Sequence, residues 1–160
     1  MAVQGTLLLV YGTLKRGQPQ EDVMTSADNG AARFVGRAQT ISQWPLVIAS
    51  KYNIPFLLLK EGIGHRIWGD VFEVDSRKLQ FLDKFESCPT YYERKLIDVE
   101  MAGHEVTKAY AYFLRNFKSE LLQRQMHSNY NSYGDHGLRF VLSSERVREQ
   151  SDNYEDTDDE

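Results

Sequence analysis

The chain has 160 residues, 41% apolar and 12% aromatic, with nine Tyr and eight Phe, enough to build one packed core unaided by metals or disulfides. Its formal charge is −4, much of it in the run from Glu149 to Glu160; neither the whole chain nor the body before that run has the Lys/Arg excess of a phosphate-backbone binder, which argues against nucleic acid and for a small-molecule partner. Cys88 is the sole cysteine, so no intrachain disulfide can form; with no secretory signal pattern and no stretch near the roughly 20 apolar residues of a membrane span, a soluble cytoplasmic protein off the membrane is expected.

Thr6 to Tyr11 is apolar on both faces and stops at Gly12, which predicts a buried central strand running into the loop Gly12-Thr13-Leu14-Lys15-Arg16-Gly17. Two glycines flanking that loop allow several N–H groups to point into one concavity able to hold a carboxylate or an oxyanion; the alternative is an ordinary strand-to-loop turn. Glu21 to Ala27 predicts a short helix ended by Asn29-Gly30. Short strands bounded by turn formers follow at 34–38, 45–49 and 55–59. His65 to Val74 is a further strand, with Trp68, Phe72 and Val74 on one face and Ile67 and Val71 on the other, hence buried on both sides.

Asp75 or Ser76 can cap a helix whose Leu79, Phe81, Leu82 and Phe85 form one apolar stripe. Pro89 forbids its continuation, so the helix ends near Phe85 to Cys88 with Glu86 in or just past its last turn. Tyr92 to Met101 and Glu105 to Leu114 alternate as a long antiparallel hairpin turning at Ala102-Gly103-His104. Ser119 to Met126 reads as a second helix, and His127 to Gly134 as a polar loop. One domain over residues 1–147 and an acidic, disordered tail over 148–160 are expected.

Glu86 is the candidate with chemistry. A helix C-terminus carries partial negative charge, and burial beside Phe85, Tyr91 and Tyr92 would add to it, so both effects raise a carboxyl pKa from about 4.3 toward neutrality, where a general acid or base works. A solvated Glu86 would keep its ordinary value. The rival is Cys88 as a nucleophile with His65, His104, His127 or His136 as base; a cysteine after a helix C-terminus lies at the wrong end for a favoured thiolate, and packing explains it better. The four His lack metal-site spacing, so no metal is expected, and no glycine-rich nucleotide motif or G-x-S-x-G is present. Tyr130 to Tyr133 with His136 to Phe140 either lines a pocket or forms a packed flap.

Val10-Tyr11-Gly12-Thr13-Leu14-Lys15-Arg16-Gly17, Phe81-Leu82-Asp83-Lys84-Phe85-Glu86 and Tyr92-Glu93-Arg94 together resemble the γ-glutamylcyclotransferase-like superfamily. Within it the chain is most similar to the γ-glutamylamine cyclotransferase branch, through Trp44 to Ile48, Asn53 to Leu58, Phe85 to Pro89 and His136 to Arg139; the likeness runs from about Leu8 to Phe140. The resemblance implies an α+β fold: a small mixed β-barrel flanked by α-helices, with a cavity at one end. It further implies that Tyr11, Gly12, Thr13 and Leu14 bind substrate and that Glu86 is catalytic, with Tyr92 (or Tyr91) and Arg94 as pocket residues. Members of this branch cyclise the γ-glutamyl group of γ-glutamyl-ε-lysine to 5-oxoproline and release lysine with no cofactor, and family analogy implies a monomer. The chain departs from the family between Leu114 and Asn129 and in the acidic tail, which bears on the breadth of the amine pocket. Two competing expectations stand beside this one: a cyclotransferase for γ-glutamyl amino acids or glutathione, and a non-catalytic binding protein on the same fold.

Overall fold

The structure, a computed structural model, describes residues 5–146. Seven strands and two α-helices occur in the order β1 (Thr6–Val10), α1 (Glu21–Thr25), β2 (Ala32–Trp44), β3 (Leu46–Ala49), β4 (Ile54–Leu57), β5 (His65–Val74), α2 (Ser76–Phe85), β6 (Tyr92–Met101) and β7 (Val106–Leu114). Five strands close a barrel in the order β1-β5-β2-β6-β7, while β3 and β4 form a separate two-stranded sheet. All barrel pairs are antiparallel except β1 with β7, which meet in parallel through Leu8 and Tyr110 and make the barrel mixed. The expected architecture is present. The acidic tail lies outside the described residues, and among the described residues no helix is long and apolar enough to cross a membrane.

Strand patterning explains two packed layers. Along β1, Leu8 and Val10 join Phe72 and Val74 of β5, Leu82 of α2 and Met24 of α1, all buried. The intervening Leu9 joins Ile67 and Val71 of β5, Ala38 of β2, Ile97 and Val99 of β6, and Ala109 and Ala111 of β7, a set drawn from every barrel strand. Both faces of β1 and β5 are therefore buried, as their continuous apolar runs require.

Three elements differ from expectation. The strand expected at 34–38 is part of the 13-residue β2, whose register against β5 shifts between Phe34 and Gly36 and again between Gln39 and Gln43. Such irregularities bend a strand, and the polar second half carried no apolar alternation to reveal it. Thr40 supports that half: fully buried, it donates from Oγ1 to Ser42 O (2.7 Å) and accepts from Ile67 N (2.8 Å). The second helix expected at 119–126 is only a 3-10 turn at Ser119–Gln123, anchored by buried Leu121. The short helix α1 stops at Thr25 and passes into a 3-10 turn, Ala27–Asn29, rather than reaching Ala27.

Helix α2 positions the site. Asp75 caps it by accepting from Lys78 N at 2.8 Å. Its buried face consists of Leu82 and, unexpectedly, Lys78, whose ammonium donates to Val23 O (2.9 Å) and Ser26 O (2.8 Å) and so ties α1 to α2. Leu79 and Phe81 pack partly against the core, while Phe85 falls outside the stripe and is exposed.

Candidate active site

Glu86 is the C-cap residue of α2, and the turn that follows explains how the chain halts there. Cys88 N donates to Asp83 O (2.8 Å) and Ser87 N to Lys84 O (3.0 Å), the paired bonds of a Schellman motif. Its left-handed position, normally glycine, is taken by Ser87 at φ 54°, a strain of about 1 kcal/mol. The helix thus ends abruptly and presents Glu86 into a cavity of about 380 Å³. That volume lies in the range of small-molecule sites, about 300–1,000 Å³.

Tyr11, Gly12, Thr13 and Leu14 line the same cavity, with Tyr92 and Tyr112. A turn bond from Lys15 N to Gly12 O (3.1 Å) shapes the loop, and Thr13 is held to Gln20 through Oγ1 to Oε1 (2.8 Å) and by Gln20 N to Thr13 O (2.9 Å). Among the described residues, the Gly12, Thr13 and Leu14 amides donate no hydrogen bond within the chain, which leaves them available to a ligand. Gly12 is required by proximity: a Cβ there would lie 2.8 Å from Pro55 Cγ, another lining atom.

The loop is pinned from two sides. Buried Asp70 on β5 accepts from Arg16 N (2.9 Å), and the Arg16 guanidinium lies 3.6 Å from the Phe34 ring centre. Lys15 is buried beneath the loop and donates to Asn129 Oδ1 (2.8 Å) and Tyr130 O (2.6 Å). Burial lowers its pKa to about 8, partly opposed by Asp70.

Burial pushes the Glu86 carboxyl up to about 7. The residue as a whole is only half-buried, but its carboxyl is enclosed among aromatic side chains and loses water around it. The helix-end contribution expected from the sequence is blunted, because the last carbonyls already accept from the Glu86, Ser87 and Cys88 amides. Burial likewise raises Tyr11 and Tyr92, and the Glu86 charge adds to both. The Tyr11 hydroxyl donates to Tyr112 O at 2.7 Å, fixing its ring against β7.

Arg94 is placed elsewhere. It does not line the cavity; its guanidinium forms a two-point pair with Asp83 (Nε to Oδ1 2.9 Å, Nη2 to Oδ2 3.0 Å) over the Tyr110 ring. Asp83 also accepts from the Tyr112 hydroxyl at 2.6 Å. Arg94 thus braces the last turn of α2 against the β6–β7 hairpin. Cys88 and the four His lie outside the lining, so nothing pairs a thiol with an imidazole there.

The γ-glutamyl cyclotransferase, AIG2-like family model matches residues 8–132. The chain belongs to that family. Bos taurus gamma-glutamylaminecyclotransferase is 44% identical over 134 residues, covering 83% of this chain and 80% of the bovine one. Homo sapiens gamma-glutamylaminecyclotransferase is 41% identical over 145 residues, covering 84% and 95% respectively. The crystal structure of an AIG2-like protein of Mus musculus superposes with a TM-score of 0.86 at 39% identity, covering 90% of this chain and all of the mouse chain.

The AIG2-like family match ends before Phe140, Ser143 and Arg146, which also line the cavity. Sequence reasoning placed Phe140 near a pocket but gave no role to Tyr52, Tyr112, Ser143 or Arg146. Tyr112 looked like any inward residue of a hairpin, and the others come from irregular segments where no periodicity speaks. Of the flap at 130–140, Tyr130 is instead buried in the core and Tyr133 is exposed.

Proposed function

We propose that this protein is a γ-glutamylamine cyclotransferase that converts γ-glutamyl-ε-lysine to 5-oxoproline and free lysine, with Glu86 passing protons in both directions. The observation that carries the reading is an enclosed carboxyl with pKa about 7 in one cavity with three uncommitted loop amides. The names of the bovine and human relatives support the substrate class.

The substrate's α-nitrogen attacks its own γ-carbonyl carbon. A C–N bond closes the five-membered lactam and the C–N bond to the lysine ε-nitrogen breaks. An α-ammonium enters and a lactam N–H remains, so two protons leave the attacking nitrogen and two arrive on the departing amine. Glu86, ionised, takes a proton that would otherwise block attack; protonated, it delivers one without which the amine cannot leave. A pKa near 7 suits both duties. Ring closure needs no protein nucleophile, since well-oriented intramolecular reactions reach effective molarities of about 10⁵ M or more. The Gly12, Thr13 and Leu14 amides hold the substrate carboxylate or the developing oxyanion, and Tyr11 and Tyr92 wall the cavity. On this reading the protein acts as a cytoplasmic monomer on a small molecule, without a cofactor.

The test is 5-oxoproline release from γ-glutamyl-ε-lysine, γ-glutamyl amino acids and glutathione, with Glu86→Gln alongside. The expected result is release from the first substrate and none by the variant. Preference for the others would move the activity within the family, and silence on all three would leave a binding protein.

A further inference from the structure

Tyr112 is the one residue of β7 among the described lining residues, and it joins the two parts of the wall that carry the chemistry. Its carbonyl oxygen accepts from the Tyr11 hydroxyl (2.7 Å) on the loop side, and its own hydroxyl donates to Asp83 Oδ1 (2.6 Å) in the last turn of α2, just ahead of Glu86. Asp83 does not line the cavity, whereas Tyr112 and Glu86 do. The phenol proton therefore points into the wall, away from the enclosed space.

That direction is fixed by chemistry. The Arg94 fork uses both Asp83 oxygens as acceptors, Nε to Oδ1 at 2.9 Å and Nη2 to Oδ2 at 3.0 Å, so the phenol donates to the carboxylate of an ion pair. At 2.6 Å the bond has the length of a charge-assisted one, stronger than a bond between neutral groups, and turning the proton toward the cavity would forfeit it. Burial, and then the bond to Asp83 and its charge, push the hydroxyl well above its ordinary range, so it stays protonated. A hydroxyl oxygen has two acceptor positions, and no donor among the described residues reaches this one. Tyr112 thus meets the cavity as an acceptor only.

Building on the cyclotransferase reading, we propose that the Tyr112 hydroxyl oxygen accepts a hydrogen bond from the substrate's α-nitrogen and holds it against the γ-carbonyl carbon, while the α-carboxylate goes to the Gly12, Thr13 and Leu14 amides. The α-carbon of a γ-glutamyl group carries an ammonium and a carboxylate side by side. The loop supplies donors and the Glu86–Tyr112 side supplies acceptors, so one placement matches both groups. Glu86 alone could not hold the nitrogen through the reaction, because taking its proton ends their ion pair. Tyr112 is neutral before and after that transfer, keeps its own proton, and remains an acceptor for an N–H of the free amine. It orients the nucleophile and forms no covalent bond to it.

The test is the binding of two ligands to Glu86→Gln, with and without Tyr112→Phe, by calorimetry. One is γ-glutamyl-ε-lysine; the other is Nε-glutaryl-lysine, the same molecule without the α-amine. Expected for the added Tyr112→Phe is a Kd for γ-glutamyl-ε-lysine raised about 10- to 100-fold and a Kd for Nε-glutaryl-lysine within about 3-fold, which also shows the cavity intact. Asp83 keeps both Arg94 bonds in that variant, so no carboxylate is orphaned. Equal losses on both ligands would overturn the proposal, since Tyr112 would then only shape the cavity, and so would no loss on γ-glutamyl-ε-lysine. Should the double variant not fold, Tyr112→Phe alone is read by KM for γ-glutamyl-ε-lysine against Ki for Nε-glutaryl-lysine: orientation raises KM about 10- to 100-fold and spares Ki, whereas a mere brace on α2 lowers kcat and moves neither, which would overturn the proposal. Wild type releasing no 5-oxoproline from γ-glutamyl-ε-lysine would remove the cyclotransferase reading itself, a failure distinguishable from loss of the Tyr112 contact.

Discussion

Glu86→Gln should stabilise the protein while silencing it, and the gain should depend on pH. A carboxyl that titrates at about 7 in the fold, against 4.5 when unperturbed, binds more protons folded than unfolded between those values. Stability therefore falls as pH rises from 4.5 toward 7 and levels off above it. The full penalty at alkaline pH is about 3.4 kcal/mol, reduced to about 2–3 kcal/mol by the solvent that reaches part of the residue. Glutamine has nearly the same shape and never ionises, so the variant escapes that penalty. Thermal melts followed by circular dichroism at pH 4.5 and pH 8.5 should show little difference between wild type and variant at the lower pH, and the variant higher by about 5–10 °C at the upper. A difference independent of pH, or a variant less stable at pH 8.5, would refute the burial argument for the raised pKa. Unchanged 5-oxoproline release would refute the catalytic assignment even if the melts behaved as expected.

Arg94→Met should lower chemical stability by about 1–3 kcal/mol through loss of the Asp83 pair and should reduce kcat by loosening the end of α2, while KM stays within about 2-fold; a selective rise in KM would return Arg94 to the substrate. Gly12→Ala forces its Cβ against Pro55, at 2.8 Å before relaxation, so the loop must shift; kcat/KM should drop by about 10- to 100-fold with the melting temperature changed far less. Cys88→Ser should retain activity, and alkylation of the wild-type thiol should do the same; inactivation by either would revive the nucleophile.

The strongly patterned parts of the sequence were legible because local rules suffice for them. The apolar run at Thr6–Val10, the alternation of the β6–β7 hairpin and the stop imposed by Pro89 each announce an element without tertiary help. The polar half of β2 and the buried Lys78 could not be read, because their burial is satisfied by partners distant in sequence: Thr40 by Ile67, and Lys78 by Val23 and Ser26. Arg94 was misplaced for a related reason. Its nearness to a site residue in sequence predicts contact with the cavity, whereas its actual partner, Asp83, was chosen by the way α2 packs on the hairpin.

By itself, the sequence determined that Glu86 would end a helix, that Gly12 would open a loop after a buried strand, and that both belong to one recognisable set of motifs. Tertiary structure decided that the two share a cavity and that the Glu86 carboxyl loses its water. It also decided that Arg146, 60 positions along the chain, faces the same space. The physical reason is that helix ends and turns follow from neighbours in sequence, whereas desolvation depends on which distant side chains enclose a group. A pKa near 7 is a property of that enclosure and not of the residue.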